Sequence, residues 1–580
     1  MYVDLNAILN ELENVFNVKE SNNEELKNRY AISTLCECSI KYKNEDYNIL
    51  VGIKRDFPLS APCVFWKDYK NCFFPHIEEL DGKICYVEDD LYVFDDENVE
   101  GIISSCIDMA VLQIYNGKNS LNFNDFLNEF ESYWRRVDLI VGVDSYIKLD
   151  TNIKMVKSYI DDKMFLIYEN ESDLEYSLQQ HNKTKKEDAI QSAIYIPLEN
   201  NINILPPRYK KMWSIAEIRN IISRNLSRNN LKKLNLLLKS NKHTKNVLIS
   251  FPRPQGERVV IGISCYDFYK FIKGKSLHPL ITGFMQCKIT MLDVNRKDKD
   301  YLLNRGGAVT SILEKKILVL GSGSLGSHII EQLINIGISD ITIVDKDKFS
   351  IENVYRHVLG YDSLKAEGSY KAEEMKNYLE KKYRNLKLNA VAYDLVDCIE
   401  DETIKLECFD LIIVAIGNPN IEFYLNKKIQ VLPKKVPTIF AWNEPYGIGG
   451  HVLVTNNAKK GGCYECLYTD FKTGEKVLKN RASLVEGSVD YAKKQDGCGS
   501  AYIPYSYLDS TQTAILCSRM VLEIFNDNEK GNPLKTWKGK NFYNIKTTKR
   551  YDLTESEMEE GKYLYLNPKC KICKEVESDN

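Results

Sequence analysis

Four cysteines stand in two pairs near the end of the 580-residue chain. Cys463 and Cys466 lie in GGCYECL, and Cys570 and Cys573 lie in NPKCKIC. A spacing of two residues lets both sulfurs of a pair reach one ion, and two such pairs supply the four thiolates of a closed tetrahedral zinc site. We predict that these cysteines bind a structural Zn²⁺. The alternative is four unpaired thiols near loops.

A second chemical pattern is the glycine-rich turn GSGSLG, which contains Gly321, Gly323 and Gly326. The turn follows a strand-like stretch and opens a helical one, so its backbone N–H groups and the positive helix end can face a phosphate. Asp345 stands about 20 residues further on, where an acid accepts hydrogen bonds from ribose hydroxyls. NAD and ATP both fit these residues, and a purely structural turn is the alternative.

Two further cysteines are candidate nucleophiles. Cys498 lies in QDGCGSAY, where the flanking glycines leave its sulfur accessible on a flexible stretch, and Cys85 ends the segment GKIC. Near neutral pH a thiolate is the natural acceptor of an activated acyl group. The alternatives are a small loop residue at position 498 and a buried strand cysteine at position 85. Cysteines with apolar neighbours are predicted to pack in the interior: Cys63, Cys72, Cys106 and Cys517.

The elements that position these residues follow from hydrophobic periodicity. Apolar residues predict helices over 5–12 and 99–115 and a strand over 47–54. The stretch 141–310 is Lys/Asn-rich and mixed, without a repeat. From Lys316 onwards, KKILVLG, the glycine turn, a helical stretch and DITIVD predict a strand–helix–strand unit. The predicted fold class is α/β.

Length and composition limit the class of protein. Single hydrophobic cores stop growing near roughly 250 to 300 residues, so the length predicts two or three domains. The changes of pattern along the chain place three, at 1–140, 141–310 and 311–580. A net charge of −3 provides no field that attracts nucleic acid or anionic lipid. The chain has no signal-peptide pattern and no uncharged apolar run of about 18 residues. Its 16 cysteines are too dilute for a disulfide scaffold, and a cytoplasmic protein is predicted.

The segment VDKDKFSIENVYRHVLG, with a lysine further on, resembles the superfamily of enzymes that adenylate ubiquitin and the molybdopterin and thiamin carriers. The resemblance covers residues 321–371 and implies ATP as the nucleotide, with Asp345 at the ribose. Arg356 and Lys371 would stabilise the charge that builds when a carboxylate attacks the α-phosphate. The implied nucleotide-binding set is Gly321, Gly323, Gly326, Asp345, Asp347, Asn353, Arg356 and Lys371.

The same resemblance has consequences for the metals and for the oligomeric state. Gly417 in DLIIVAIGNPN stands where the family has an aspartate that organises Mg²⁺, so other acids or water would hold this ion. Cys498 lies in the loop where relatives carry a catalytic cysteine, and the two cysteine pairs lie where they bind zinc. Relatives pair through their nucleotide domains, which implies a homodimer. Arg305 would then act in the partner's site, and ordinary surface charge is the alternative.

Residues 5–120 resemble ubiquitin-conjugating enzymes. A proline-bounded turn and an aromatic strand precede the Gly-x-Ile-Cys sequence; the matching residues are Phe57, Pro58, Pro62, Val64, Phe65, Gly82, Ile84 and Cys85. The resemblance implies that Cys85 carries an acyl group as a thioester. His76 replaces the family asparagine that supports the oxyanion, and its ring N–H is able to donate to one. A histidine that only structures the loop is the alternative.

This order of parts resembles the fused ligases of bacterial CBASS antiphage operons. It implies a ubiquitin-conjugating-like α+β domain, a mixed α/β linker domain and a Rossmann-like ThiF-type adenylation domain with zinc. The implied enzyme adenylates the C-terminus of a cGAS-like nucleotidyltransferase or ubiquitin-like protein. It then forms thioesters on Cys498 and Cys85 and transfers the acyl group to a target amine. An activator without conjugating activity and a non-catalytic interaction protein, with Gly417 marking a decayed site, stay open.

Overall fold

The computed structural model describes residues 3–88, 91–266, 278–281, 287–308, 312–365, 368–458, 461–487, 491–494 and 501–573. Its internal contacts divide the chain into two units, Met1–Asp298 and Lys299–Asn580, called the N-terminal and the C-terminal unit below. The predicted division into three domains with boundaries near 140 and 310 stays a prediction.

The N-terminal unit begins with a four-stranded antiparallel sheet. Its strands, in sheet order, are β1 (Val15–Glu20), β2 (Ile32–Tyr42), β3 (Glu45–Lys54) and β4 (Cys63–Trp66). The helices of this part are α1 (Leu5–Glu11), α2 (Glu24–Tyr30) and α3 (Val99–Lys118). Leu5 and Leu9 of α1 share one core cluster with Ile49 of β3 and Ile103 of α3, so both helices bury their apolar faces against the sheet. The predicted helices and strand are confirmed.

A closed seven-stranded barrel follows in the N-terminal unit, with the order β10-β11-β5-β7-β6-β8-β9. The strands are β5 (Ile140–Ser145), β6 (Lys154–Asp161), β7 (Met164–Tyr168), β8 (Ile190–Pro197), β9 (Asn246–Pro252), β10 (Arg258–Tyr266) and β11 (Lys288–Arg296). Two helices precede the barrel strands in the sequence, α4 (Asp125–Asn128) and α5 (Phe130–Trp134). Three more lie between barrel strands in the sequence, α6 (Glu171–Gln180), α7 (Ile215–Asn225) and α8 (Arg228–Ser240). The polar stretches of 141–310 thus lie partly on amphipathic helices, whose buried residues include Ile218 and Leu234.

The C-terminal unit is built on a seven-stranded sheet with the order β16-β13-β12-β17-β18-β19-β22. The strands are β12 (Lys316–Leu320), β13 (Asp340–Val344), β16 (Lys387–Val391), β17 (Leu411–Val414), β18 (Thr438–Asn443), β19 (Gly449–Thr455) and β22 (Leu534–Lys538). Short pairs are formed by β14 (Lys348–Phe349) with β15 (Ser369–Tyr370), and by β20 (Lys493–Lys494) with β21 (Ala501–Tyr502). The helices are α9 (Lys299–Arg305), α10 (Ser324–Asn335), α11 (Lys371–Lys382), α12 (Leu395–Glu400), α13 (Pro419–Gln430), α14 (Tyr507–Phe525) and α15 (Glu555–Glu560).

The first five strands of this sheet are parallel, and the last two pairings are antiparallel. Parallel strands buried on both faces read as continuous apolar runs, which is the character of β12 and β13. Together with α10 they confirm the predicted strand–helix–strand unit and the α/β class. Their carboxyl ends meet at one edge of the sheet, where ligands bind in open α/β folds. Among the described residues, no helix is long and apolar enough to cross a membrane.

Candidate active sites and metal centre

The glycine turn leaves β12 and enters α10 with two close backbone approaches. Gly321 has φ +92°, a left-handed value that favours glycine, and a Cβ there would lie 2.7 Å from the Ala415 carbonyl oxygen. A Cβ at Gly326 would lie 1.9 Å from the Gly321 oxygen. At Gly323, in contrast, nothing lies within 4 Å of a Cβ. Two of the glycines therefore serve the tight turn, and the third leaves an open face.

A substitution pair is expected to separate these roles. Gly326→Ala should lower the free energy of unfolding by about 1–3 kcal/mol, because its Cβ overlaps the turn. Gly323→Ala should change that energy by less than about 0.5 kcal/mol and should weaken ATP binding, since a methyl group would occupy the open face. Thermal melts and calorimetric ATP titrations measure the two effects. Equal melts of the two variants would contradict this assignment.

A cavity of about 150 Å³ lies at the carboxyl ends of β12 and β13 and brings together several of the predicted nucleotide-binding residues. Its lining includes Gly321, Gly323, Asp345, Asp347 and Lys371. Asp345 accepts the Ser322 N–H at 2.7 Å and the Asp347 N–H at 2.8 Å, and burial raises the pKa of its carboxyl. The Lys371 ammonium donates to Asp347 at 2.9 Å. A cation, acids and the glycine turn at the start of a helix thus line one cavity, as a nucleotide site requires.

Asn353 and Arg356 line a different cavity, of about 1020 Å³. Its other walls include Tyr446, Tyr502 and Tyr505. Asn353 Oδ1 accepts from the Ser350 N–H at 3.1 Å, and the Arg356 guanidinium lies 5.7 Å from the centre of the Tyr502 ring. The structure therefore divides the predicted nucleotide-binding set between two cavities of the C-terminal unit. The role of Arg356 and Asn353 at the triphosphate stays a prediction.

Gly417 stands where the family has its magnesium-organising aspartate. Gly417 has φ +73°, and its N–H donates to Glu422 Oε1 at 3.0 Å. Glu422 is buried, accepts the Tyr464 hydroxyl, and has a carboxyl pKa that burial raises. The acids that line the 150 Å³ cavity instead are Asp345, Asp347 and Asp394. Carboxylate oxygens are the ligands that Mg²⁺ takes from proteins, and it keeps several waters.

The four paired cysteines meet in the C-terminal unit. Their sulfurs all lie within 4.8 Å of one another, with Cys463 3.8 Å from Cys570 and Cys466 3.5 Å from Cys573. Four sulfurs around one Zn²⁺ at about 2.3 Å are about 3.8 Å apart, so the cluster fits this ion. Arg481 donates to the carbonyl oxygens of Cys466 at 2.5 Å and Tyr565 at 2.8 Å. One side chain thus ties the segments of both pairs together.

Cys85 is exposed and opens into a cavity of about 370 Å³ in the N-terminal unit. Its N–H donates to the His76 carbonyl at 2.8 Å, so the two residues are neighbours, as the sequence pattern requires. His76 has φ +63°, and its Nε2 lies 3.0 Å from Asp125 while its Nδ1 lies 3.2 Å from Glu129. Both ring nitrogens therefore face carboxylates. The oxyanion role of His76 stays a prediction.

The walls of this cavity include residues that sequence reasoning missed. Glu129, Tyr133 and Arg136 belong to α5 and its flanks, and Glu88 stands just after Cys85. Nothing in their local sequence distinguishes them from surface charge, because they reach Cys85 only through the packing of α5. Burial raises the pKa of the Cys85 thiol, and the carboxylates of Glu129 and Glu88 raise it further.

A pH dependence follows from these neighbours. Because the thiolate is the reactive form, alkylation of Cys85 by iodoacetamide should be slower near neutral pH than for an ordinary thiol and should increase as the pH rises. Glu129→Gln removes a negative charge, lowers the pKa of Cys85 and should shift the rate profile to lower pH. Mass spectrometry of the labelled peptide between about pH 7 and about pH 10 measures this. The exposed Cys408 is the internal reference. If Glu129→Gln left the pH dependence of Cys85 alkylation unchanged, Glu129 would not be a cause of the raised pKa.

The remaining predicted residues have the following positions. Cys498 lies outside the described residues. Arg305 is exposed at the last position of α9, where it donates to the Tyr301 hydroxyl at 3.4 Å, and its action in a partner's site stays a prediction. The predicted packing cysteines are confirmed for Cys63, Cys106 and Cys517, which are buried, and Cys72 packs at the edge of the core.

Two family models match the two parts of the chain. Residues 302–571 match the ThiF family and residues 16–139 match the Prokaryotic E2 family B. These matches coincide with the sheet that holds the nucleotide cavity and with the part that carries Cys85. The class defined here is that of fused activating (E1) and conjugating (E2) proteins, and the chain is an ATP-dependent E1/E2-type enzyme.

Two relatives share sequence similarity with this chain over different lengths. The chain is 22% identical to the ATP-dependent ubiquitin transferase-like protein Cap2 of Escherichia coli (strain TW11681), over 93% of this chain and 94% of that protein. It is 28% identical to Cap2 of Vibrio cholerae serotype O1, over 41% of this chain and 40% of that protein. The resemblance to CBASS-type fused ligases is thereby confirmed. A crystal structure of E. coli MccB with ATP matches 46% of this chain and 68% of its own, at 19% identity and a TM-score of 0.33.

Proposed function

We propose that this enzyme carries out ATP-dependent conjugation in which a partner protein's C-terminus is activated, held as a thioester and joined to an amine. The observation that carries the proposal is Cys85, an exposed thiol in an acid- and base-lined cavity, in a chain that also has a nucleotide-type cavity. A buried packing cysteine would have neither the exposure nor the charged walls. The proposed partner is the tail of a cGAS-like nucleotidyltransferase or a ubiquitin-like protein.

The proposed reaction has four steps. The partner's carboxylate attacks the α-phosphorus of ATP, and pyrophosphate leaves. The Cys498 thiolate attacks the acyl adenylate, a thioester forms, and AMP leaves. The Cys85 thiolate then takes the acyl group and Cys498 is released as a thiolate. In the last step a target amine attacks the carbonyl carbon, an amide forms, the amine loses a proton, and Cys85 leaves as a thiolate.

Charge stabilisation in the first step is assigned to cationic side chains. Lys371 faces the nucleotide cavity, and it neutralises charge that develops on the phosphate oxygens. Magnesium neutralises phosphate charge when bound, and Asp345, Asp347 and Asp394 are the acids that would hold it. Zinc at the four-cysteine cluster has a structural role. The proposal keeps the predicted homodimer, with Arg305 at the partner's site, and the predicted cytoplasmic location in antiviral defence.

The decisive test is a gel assay of the full-length protein. It is incubated with ATP, Mg²⁺ and a nucleotidyltransferase that ends in an exposed tail, and is analysed with and without reductant. We expect an adduct that reductant removes. Cys85→Ala should leave that adduct on Cys498, and Cys498→Ala should abolish it at both sites, because the acyl group reaches Cys85 through Cys498.

Cys408→Ala is the matched control, since Cys408 is an exposed thiol that is not among the residues lining the Cys85 cavity. It should leave the adducts unchanged. Pyrophosphate exchange without an adduct on Cys85 would instead indicate an activator that lacks conjugating activity. Full conjugation by a protein that lacks both Cys85 and Cys498 would exclude the relay.

A further inference from the structure

The residues that line the Cys85 cavity come from two segments of the N-terminal unit, 76–88 around Cys85 itself and 128–136 just before the barrel. We propose that the barrel is a positioning device for Cys85, acting through residues 125–136, called the wall segment below. The proposal rests on the proposed function, in which Cys85 carries the acyl group, and it adds how the cavity around that group is kept in place.

The apolar side of the wall segment is embedded in the barrel. Trp134 is 1% exposed, and its Nε1–H donates to the Leu292 carbonyl on β11 at 2.9 Å. Phe130 is fully buried, with its ring 5.0 Å from that of Phe251 on β9. Both side chains belong to the same core cluster as the barrel strands. Aromatic pairs of this kind hold a helix in a defined orientation.

Ion pairs fix the same segment to the barrel. The Arg253 guanidinium donates to both carboxylate oxygens of Glu131 at 2.8 Å each and to the Asn128 carbonyl at 2.8 Å. Arg135 donates to Asp293 on β11 at 2.8 Å. Two nitrogens of the Arg253 guanidinium contact two residues of this segment, Nη2 both oxygens of Glu131 and Nη1 the Asn128 carbonyl, which limits orientation as well as distance. The wall segment thus has a fixed position relative to the strands.

The other side of the wall segment holds the loop before Cys85. The Tyr133 hydroxyl accepts the His76 N–H at 3.1 Å, and Glu129 contacts the His76 ring at 3.2 Å. Arg136 donates to Glu78 at 2.9 Å. His76 in turn accepts the Cys85 N–H through its carbonyl at 2.8 Å. The path from barrel to nucleophile is continuous, and each step in it is a described contact.

The two sides follow from helical periodicity. Phe130 and Trp134, the first and last residues of α5, are four residues apart and pack in the barrel core, while Tyr133 and the flanking Glu129 line the cavity. One short helix therefore cannot move away from the barrel without opening the cavity. The first sheet alone lacks this wall, so the barrel completes the site.

The test uses full-length Arg253→Ala, made together with Glu131→Gln because Glu131 also lines the cavity and would otherwise remain there as an unpaired carboxylate. It measures the rate of Cys85 alkylation by iodoacetamide as a function of pH. Release of the wall segment should remove burial and negative charge from the Cys85 thiol, shift the profile to lower pH and raise the rate near pH 8 about threefold or more. Discharge of the Cys85 thioester to free lysine should become about 10- to 100-fold slower, because the acyl group is no longer held in a fixed cavity.

Lys183→Ala is the matched control. Lys183 donates to both oxygens of Asp161 at 2.6 Å each on the same barrel, and its side chain is 22% exposed, against 21% for Arg253, but it makes no described contact with the wall segment. Lys183→Ala should leave the pH dependence of Cys85 alkylation unchanged. Trp134→Phe, which loses the bond to Leu292 and keeps an apolar ring, should shift the profile in the same direction even where the Arg253→Ala, Glu131→Gln double variant does not fold.

An unchanged profile in both the double variant and Trp134→Phe would overturn the proposal. So would an equal shift in Lys183→Ala, which would indicate general loosening of the barrel. Because alkylation needs neither ATP nor a partner, its outcome is independent of the relay. A wild-type protein without any thioester at Cys85 would overturn the proposed function, while the alkylation profile would still decide whether the barrel positions Cys85.

Discussion

Lys371→Ala is expected to weaken ATP binding by about 10- to 100-fold. The 150 Å³ cavity is lined by three acids, Asp345, Asp347 and Asp394, and by two lysines, Lys346 and Lys371. Lys371 is only 11% exposed and is paired with Asp347 at 2.9 Å. The Asp347 side chain is 61% exposed, so the expected loss comes from the missing contact to phosphate: a hydrogen bond that involves a charged group contributes about 1.5–3 kcal/mol, and the acids left behind repel the triphosphate. At 1.4 kcal/mol for each factor of ten, this corresponds to the expected loss.

Isothermal titration with ATP and Mg²⁺ measures this effect without any partner protein. Lys346→Ala is the control from the same cavity, because Lys346 is 60% exposed and contacts Asp394 at 2.8 Å. Exposed pairs contribute about 0–1 kcal/mol, so this variant should lose less than about fivefold in affinity. Equal affinities of Lys371→Ala and the unaltered protein would remove Lys371 from the nucleotide site.

Cys570→Ser is expected to lower the free energy of unfolding of the C-terminal unit by several kcal/mol. A structural zinc bound by thiolates contributes about 10–16 kcal/mol of apparent binding energy in zinc-finger peptides at pH 7, and that energy stabilises the fold around it. The cluster joins residues 463–466 to residues 570–573. It thereby closes a long loop, since Cys463 and Cys570 are 107 residues apart in the sequence. Without one ligand, this end of the chain loses its tie to the sheet.

Elemental analysis and thermal melts check this expectation together. The unaltered protein should contain one zinc per chain, and a chelator should lower its melting temperature. Cys408→Ser, at an exposed position outside the cluster, should change neither quantity. A protein that lacks zinc and whose melt a chelator leaves unchanged would exclude the metal centre.

Much of the fold was predictable because it depends on local patterns. The strand–helix–strand unit at β12, α10 and β13 follows from apolar runs around a glycine turn, and α1 and α3 follow from helical periodicity. The closed barrel was not predictable in this way. Its closure depends on pairings such as β5 with β11, which are about 150 residues apart, and short apolar strands do not specify their partners.

The candidate sites, like the fold, were predictable where they depend on local patterns and not where they depend on packing. The neighbouring positions of Gly321, Asp345 and Lys371 were expected, because parallel strands bring their carboxyl ends to one edge. The separate cavity of Asn353 and Arg356 was not expected, because the path of the chain after β14 depends on packing against the tyrosines of that cavity. Around Cys85, the sequence identified the thiol and His76 and gave no sign of Glu129 or Arg136.

By itself the sequence determined which chemical groups are present and which of them are close neighbours along the chain. The spacing of Cys463 and Cys466, the glycines of the turn, and Gly82, three residues before Cys85, have consequences within a few residues, where chain connectivity limits the distances. Only the tertiary structure decided what surrounds Cys85. Burial raises the pKa of its thiol, and Glu129, in a segment that packs on a barrel more than a hundred residues long, raises it further; such distances are fixed by packing.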